Sequence, residues 1–201
     1  MDGKRIQECN PVDISDEDVL EAMKSLQGYI DITPGDFREV YRVAYALAMD
    51  RMMTSIKAKD IMTQPVHSLR ADMDLIETVD LLAVHRISGA PVVDHLGRII
   101  GVVSEKDIMK KMGDNRAGSF MEIIALCLKN KGCLAVPMRQ RTVSDIMTSP
   151  AITIIPDMPI GDILAIISEK QINRLPVIGN DGKPIGIVAR SDLVRAYCAW
   201  I

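Results

Sequence analysis

The chain has 201 residues, a hydrophobic content of 48% and a net charge of −3. This length suits one large domain or two small ones, and the hydrophobic content excludes a disordered chain. The acidic balance and an aromatic content of 3% argue against nucleic-acid binding, because such a surface needs basic residues and stacking rings.

The sequence pattern predicts neither a membrane-spanning segment nor an export signal. No apolar run approaches the roughly 18 residues of a membrane span, and the N-terminus lacks an apolar signal core. We therefore expect a cytoplasmic protein. The cysteines form no C-x-x-C pair and have no histidine nearby, so we expect no metal site and interpret them as buried or idle thiols. They are Cys9, Cys127, Cys133 and Cys198.

The first quarter of the chain predicts two helices. Residues 13–27 have the apolar spacing of an amphipathic helix, with Ser15 as N-cap and acidic residues at the positive helix end. A second helix is predicted to begin at Thr33-Pro34. Two helices of this size cannot bury both apolar faces against each other alone. We therefore expect residues 1–56 to form a helical extension that docks on the rest of the chain or on a second copy.

From Lys57 onward the sequence repeats itself with an offset of 85 residues. The opening Asp60-Ile-Met-Thr-Gln-Pro65 returns as Asp145-Ile-Met-Thr-Ser-Pro150. No gap is needed over about fifty residues, so chance similarity is a poor explanation. The same offset relates Pro91-Val92 to Pro176-Val177, Gly97 to Gly182, Ile100-Gly101 to Ile185-Gly186, and Asp107 to Asp192.

Each repeat predicts the order strand, helix, strand, strand, helix. The two central strands are joined by a hairpin with a glycine at its turn, and an aspartate opens the last helix. In the second repeat the elements are a strand over Ala151–Ile155, a helix over about 160–170, strands over Leu175–Ile178 and Ile185–Val188, and a helix from Asp192.

A basic connector separates the repeats at about 113–141. A helix is predicted over Ser119–Leu128, and residues 110–141 contain seven Lys and Arg against two acidic residues. One interpretation is a solvated connector, which we favour. The other is a collar of positive charge near a polyphosphate.

A strand–hairpin–strand–helix unit that ends in Gly-x-x-[Ser/Thr]-x-x-Asp, present twice in register, resembles a tandem pair of CBS domains, also called a Bateman module. The resemblance divides the chain into 1–56, repeat 1 at 57–112, the connector at 113–141, and repeat 2 at 142–201. It implies an α+β (mixed α/β) fold in which two βαββα repeats pack with pseudo-twofold symmetry. It also implies two clefts that hold an adenine nucleotide (AMP, ADP or ATP), S-adenosylmethionine or NAD.

Carried over residue by residue, the resemblance gives the ribose role to Asp107 and Asp192, since a carboxylate can accept both hydroxyls of a vicinal diol. The implied phosphate contacts are Ser104, Lys106, Arg190 and Ser191. The implied purine pockets comprise Ser68, Ala90, Pro91, Val92, Thr153, Arg174, Leu175, Pro176 and Val177.

The two clefts are not expected to be equivalent. Ala189 stands where the first repeat has the hydroxyl residue, and Arg190 follows it. A forked guanidinium is a stronger phosphate ligand than a lysine. We therefore expect tighter binding in the cleft of Asp192, with Arg174 beside it.

The sequence assembles no catalytic set, P-loop or metal cluster, so we do not expect an enzyme. The first hypothesis is a regulatory, ligand-sensing homodimer whose N-terminal helices reach a regulated enzyme or transporter. The alternative is an oligomerising scaffold with vestigial clefts, because an aspartate at a helix start is often only a cap. A more distant third hypothesis is an enzyme that depends on a ligand metal or on a redox-active Cys9.

Overall fold

The computed structural model describes residues 14–26, 31–112, 121, 124 and 136–198. The chain divides into two compact units, Met1–Ser55 and Ile56–Ile201. Cys9 and most of the predicted connector helix lie outside the described residues.

The first unit contains the two predicted helices. Helix α1 spans Asp16–Ser25 and helix α2 spans Pro34–Ser55. Ser15 caps α1 through a reciprocal pair, in which the Asp18 N–H donates to Ser15 Oγ at 3.1 Å and the Ser15 N–H donates to Asp18 Oδ2 at 2.8 Å. These bonds satisfy donors that the first helical turn leaves unpaired. Both predicted helices are confirmed, and the docking of residues 1–56 stays a prediction.

The first repeat has a three-stranded sheet in the order β1-β2-β3. Strand β1 is parallel to β2, and β3 returns antiparallel to β2. Every residue of β2 except the last is buried, because the sheet is covered on both faces at this strand. The elements are α3 Ala58–Ile61, β1 Leu69–Arg70, α4 Leu75–Val84, β2 Gly89–Val93, β3 Ile99–Ser104 and α5 Glu105–Met112.

The second repeat follows the same order with less regular structure. The predicted strand over Ala151–Ile155 is wrong in extent, since only Ile154 pairs with Val177. Pro150 and Pro156 flank this segment, and prolines restrict the backbone and lack the N–H that a ladder needs. The other elements are 3-10 turns at Val136–Gln140 and Val143–Asp145, α6 Ile160–Glu169, β4 Arg174–Ile178, β5 Pro184–Ala189 and α7 Arg190–Cys198.

The two hairpins use a glycine in the left-handed region, as predicted. Gly97 has φ 79° and Gly182 has φ 76°, a conformation that costs a residue with a Cβ about 1–2 kcal/mol. Asp94 Oδ1 accepts from the N–H groups of Leu96 and Arg98 at 2.9 and 2.8 Å, which fixes the first turn. The Ile99 N–H donates to Gly182 O at 3.1 Å, so the hairpins of the two repeats meet.

Each repeat donates its opening segment to the other repeat. Thr63 and Ile187 exchange two backbone hydrogen bonds of 2.9 and 3.2 Å, and Thr148 and Val102 exchange two of 2.9 and 3.0 Å. The buried core around β2 therefore includes residues of the second repeat's opening, Val143 among them. The mixed α/β fold of two packed repeats is confirmed, and the repeats are interlocked rather than stacked side by side. The buried core cluster comprises Leu69, Leu75, Leu82, Ala90, Val92, Val103, Met138, Val143 and Ile146.

Candidate functional site

Asp107 lies where β3 passes into α5. It is the third residue of that helix, which begins at Glu105 and not at the aspartate itself. Its Oδ2 accepts from the N–H of Ser104 at 2.9 Å and from the Ser104 hydroxyl at 2.5 Å. A carboxylate at the third helical position reaches back in this way to the residue before the helix. The side chain stays partly exposed, so it is fixed in direction and remains accessible to a ligand.

A residue of the second repeat completes the surroundings of this carboxylate. Thr148 Oγ1 donates to Asp107 Oδ1 at 3.2 Å. Asp107 therefore lies at the junction of the two repeats, beside the β-bridge between Val102 and Thr148. Sequence reasoning did not assign Thr148 to the site. The available signal was the threonine that both Asp-Ile-Met-Thr motifs share.

Asp192 has the same place in the second repeat but different partners. It is the third residue of α7, and its Oδ2 accepts from the Ala189 N–H at 2.7 Å. Its Oδ1 is paired with the guanidinium of Arg195, one helical turn later. The Asp192 side chain is 4% exposed and that of Arg195 is 73% exposed, so a buried carboxylate is paired with a guanidinium that lies largely in solvent. Sequence reasoning did not identify Arg195, although its i+3 spacing from Asp192 was visible.

Arg174 reaches across to the first repeat. Its Nη2 donates to the hydroxyl of Ser88 at 2.7 Å. A Cβ on Gly89 would lie 2.2 Å from Arg174 Nη1, so the glycine leaves the space that the guanidinium fills. Burial lowers the pKa of Arg174, while the carboxylates of Glu105 and Asp107 act in the opposite direction.

From the sequence we grouped Arg174 with Asp192, whereas its hydrogen bond and its electrostatic partners belong to the first repeat. The physical reason is the pseudo-twofold packing. It brings the first residue of β4 against the first residue of β2, Gly89. The spacing of residues within one repeat gives no information about this contact.

The other phosphate candidates lie on the exposed starts of α5 and α7. Lys106 and Ser191 are exposed. Arg190 is also exposed, and its Nε donates to the carbonyl of Ile172 at 3.3 Å. The Arg190 guanidinium thus already has a backbone partner.

The predicted purine walls divide into buried and accessible residues. Ala90 and Val92 are 0% exposed and belong to the core cluster, so neither residue presents a surface to a ligand in this structure. Leu175 and Val177 are likewise 0% exposed. Ser68 and Thr153, just before β1 and the bridge at Ile154, are partly exposed, whereas Pro91 and Pro176 are buried.

A separate cavity of about 330 Å³ opens between α4, α5 and the turn at Val136–Gln140. Its lining is largely apolar and includes none of the predicted site residues. The lining comprises Leu75, Ile76, Val79, Asp80, Ile108, Met112, Met138 and Arg139.

Across the described ranges, no helix is long and apolar enough to cross a membrane. Over the same residues, no group of three or more His, Cys, Asp or Glu could hold a metal ion. His67 and His85 stack with ring centroids 3.6 Å apart. The two rings form a pair, which their separation in sequence did not predict.

Comparisons with known proteins agree with the repeat. The model of the CBS domain family matches residues 58–114 and 143–199. An uncharacterized protein of Methanocaldococcus jannaschii is 35% identical over 150 residues, which cover 69% of this chain and 89% of that protein. Two further curated relatives are longer, and the matches cover 23% and 59% of their lengths.

Solved structures show the same architecture. The CBS domain of a CBS domain containing membrane protein from Sphaerobacter thermophilus is 29% identical, with a TM-score of 0.59 and coverage of 78% of this chain and 97% of that one. CBSX2, a protein of Arabidopsis thaliana solved in complex with AMP, is 27% identical, with a TM-score of 0.55 and coverage of 72% and 97%.

Proposed function

Because the chain belongs to the CBS domain family and carries two such domains in tandem, we propose that it is a regulatory module that binds an adenine nucleotide. The observation that carries the proposal is Asp107, a partly exposed carboxylate held by hydroxyls from both repeats. The complex of CBSX2 with AMP supports AMP as the first ligand to test. ADP, ATP, S-adenosylmethionine and NAD share the adenosine group and form the rest of the ligand series.

The chemistry of the first cleft suits a nucleotide. Thr148 is 3.2 Å from Asp107 Oδ1, a long bond that leaves acceptor capacity for a ribose hydroxyl. The Arg174 guanidinium faces Glu105 and Asp107 and is partly buried. A phosphate at this position would gain a forked, charge-assisted contact where water screens it weakly. These contacts favour the first cleft over the second, in contrast to the expectation from the sequence.

Binding at Asp107 also offers a route to regulation. Asp107 is bonded to Thr148, and Thr148 belongs to the segment that the second repeat contributes to the first repeat's sheet. A ligand that replaces Thr148 on Asp107 would have different affinities for the arrangements with and without this hydrogen bond. It can therefore shift the equilibrium between them. We propose that a cytoplasmic homodimer passes this shift through residues 1–56 to a regulated enzyme or transporter, without catalysis by this chain.

The proposal is tested by titration calorimetry with AMP and the other adenosine compounds. Asp107→Asn removes the charge that accepts the ribose hydroxyls, so AMP affinity should fall at least tenfold. Asp74→Asn is the matched control, because Asp74 also caps a helix, is not among the predicted site residues, and asparagine caps equally well. AMP at a hundredfold excess over Kd should also stabilise the wild-type chain by about 2.7 kcal/mol, roughly 5–10 °C in Tm.

A scaffold with vestigial clefts is the second candidate. It is favoured by the capping bonds that Asp107 and Asp192 already make to the residues before their helices. Absence of binding by every adenosine compound would leave only this candidate. Equal AMP affinity in the wild-type and Asp107→Asn proteins would instead refute the ribose role of Asp107.

A further inference from the structure

The two aspartates of the repeat occupy equivalent positions but differ in what reaches Oδ1. On Asp107, this oxygen accepts a hydroxyl of Thr148 from the other repeat. On Asp192, it is paired with the guanidinium of Arg195 from the same helix. Asp107 is partly exposed, whereas Asp192 is 4% exposed. The atom that would receive a ribose hydroxyl is therefore accessible in one cleft and covered in the other.

The residue at the third position before each aspartate explains this difference. Ser104 donates its hydroxyl to Asp107 Oδ2 at 2.5 Å. Ala189 has no hydroxyl, so only its N–H reaches Asp192. A carboxylate that is almost fully buried needs a compensating charge or further donors. Arg195 supplies both, since a guanidinium is cationic and donates hydrogen bonds.

The corresponding residue of the first repeat is Lys110, which lies 85 positions before Arg195. Lys110 is exposed. Asp107 accepts hydrogen bonds from the hydroxyls of Ser104 and Thr148 and from the N–H of Ser104. The equivalent carboxylates of the two repeats thus have different partners, hydroxyls on Asp107 and a cation on Asp192.

We propose that Arg195 is a built-in counterion that keeps the second cleft closed, so that nucleotide fills the cleft of Asp107 first. A ribose diol can reach Asp192 Oδ1 only after the guanidinium has moved away. Arg195 is 73% exposed, so its side chain has room to leave toward solvent. The inference rests on the proposed function, because it concerns ligand access to the same kind of cleft.

The test measures AMP stoichiometry by calorimetry on the full chain. The wild-type protein should bind one equivalent, and Asp107→Asn should lower the affinity of that equivalent at least tenfold. Arg195→Gln keeps most of the side-chain length but removes the charge, and it should add a second equivalent with at least tenfold higher affinity than the wild-type second cleft. Adding Asp192→Asn to Arg195→Gln should remove that equivalent again. Lys110→Gln, the matched control, should leave the stoichiometry at one.

A second variant guards against loss of folding. Arg195→Gln leaves Asp192 without its counterion, so far-UV circular dichroism and Tm must show a folded chain. Ala189→Ser combined with Arg195→Gln restores the hydroxyl that the first repeat has at this position. The double variant should fold and bind two equivalents.

The outcomes separate this inference from the proposed function. If the wild-type protein, Arg195→Gln and the double variant all bind one equivalent of AMP, the counterion role of Arg195 is overturned and the proposed function stays intact. Two equivalents in the wild-type protein, with one lost in Asp192→Asn, would also overturn it. AMP binding that appears only in Arg195→Gln would support the counterion role of Arg195 and refute nucleotide binding in the cleft of Asp107. No binding of AMP or of any other adenosine compound by any variant would overturn both.

Discussion

Gly89→Ala tests the close approach of the two repeats at their pseudo-twofold axis. Gly89 has φ 153°, a region that residues with a Cβ rarely adopt. A Cβ at this position would lie 2.3 Å from Val103 O and 2.8 Å from Ser104 Cα, both backbone atoms, and 2.2 Å from Arg174 Nη1. Backbone atoms in a paired strand cannot move away as a flexible side chain can, so the substitution must displace β2 or β3.

The expected cost follows from two contributions. The unfavourable φ costs about 1–3 kcal/mol, and overpacking costs about another 1–3 kcal/mol. We therefore expect Gly89→Ala to lower the free energy of unfolding by about 4 kcal/mol. For a chain of this size each kcal/mol corresponds to about 2–4 °C in Tm, so Tm should fall by roughly 8–16 °C.

Gly97→Ala is the matched control for the backbone contribution. Gly97 also has a positive φ, 79°, but the nearest atoms to a Cβ there are Lys183 Cδ and Cε at 3.6 Å. Gly97→Ala should therefore lower the free energy of unfolding only through its left-handed backbone conformation, by about 1–2 kcal/mol. Urea denaturation followed by circular dichroism gives both values. Combining Gly89→Ala with Arg174→Ala should recover part of the loss, because one of the three close contacts disappears while those with Val103 and Ser104 remain.

The refuting result is a cost for Gly89→Ala that does not exceed the cost for Gly97→Ala. Equal costs would mean that β2 does not approach β3 and Arg174 as closely as described. Equal costs would also remove the structural reason for placing Arg174 at the first cleft. Complete recovery in the double variant would instead mean that the Val103 backbone contact contributes nothing and that the contact with Arg174 accounts for the whole steric cost.

Three further predictions concern stability. Ile163→Ala, at a position that is 0% exposed, should lower the free energy of unfolding by about 2–5 kcal/mol in urea denaturation, and a loss below 1 kcal/mol would contradict its burial. Gly186→Ala would place a Cβ 2.2 Å from Met62 Sδ, so it should cost about 1–3 kcal/mol, and Met62→Ala should reduce this cost in a double-mutant cycle. The backbone and hydroxyl bonds from Thr142 lower the pKa of Asp145, so its contribution is present above about pH 4 and is lost as pH falls through the lowered pKa. Tm between pH 7 and pH 3 should therefore fall less in Asp145→Asn than in the wild-type protein, and equal falls would contradict the assignment.

Much of the fold was predictable because its signals are local. The Ser15 cap, the glycine turns at Gly97 and Gly182, and the apolar strands each depend on residues a few positions apart. The repeat itself is visible as a constant offset of 85 residues. The strand over Ala151–Ile155 was predicted too long, because flanking prolines restrict pairing in a way that apolar composition does not reveal.

The two repeats, the order of their elements and the pair of aspartates at equivalent positions can all be read from the order of residues along the chain. What those aspartates contact depends on how the repeats pack. Thr148 reaches Asp107 because the repeats exchange their opening segments, and Arg174 reaches the first repeat because two strand starts meet at the pseudo-twofold axis. Turns and caps depend on near neighbours in the chain, whereas contacts between residues 41 or 86 positions apart depend on how whole repeats pack.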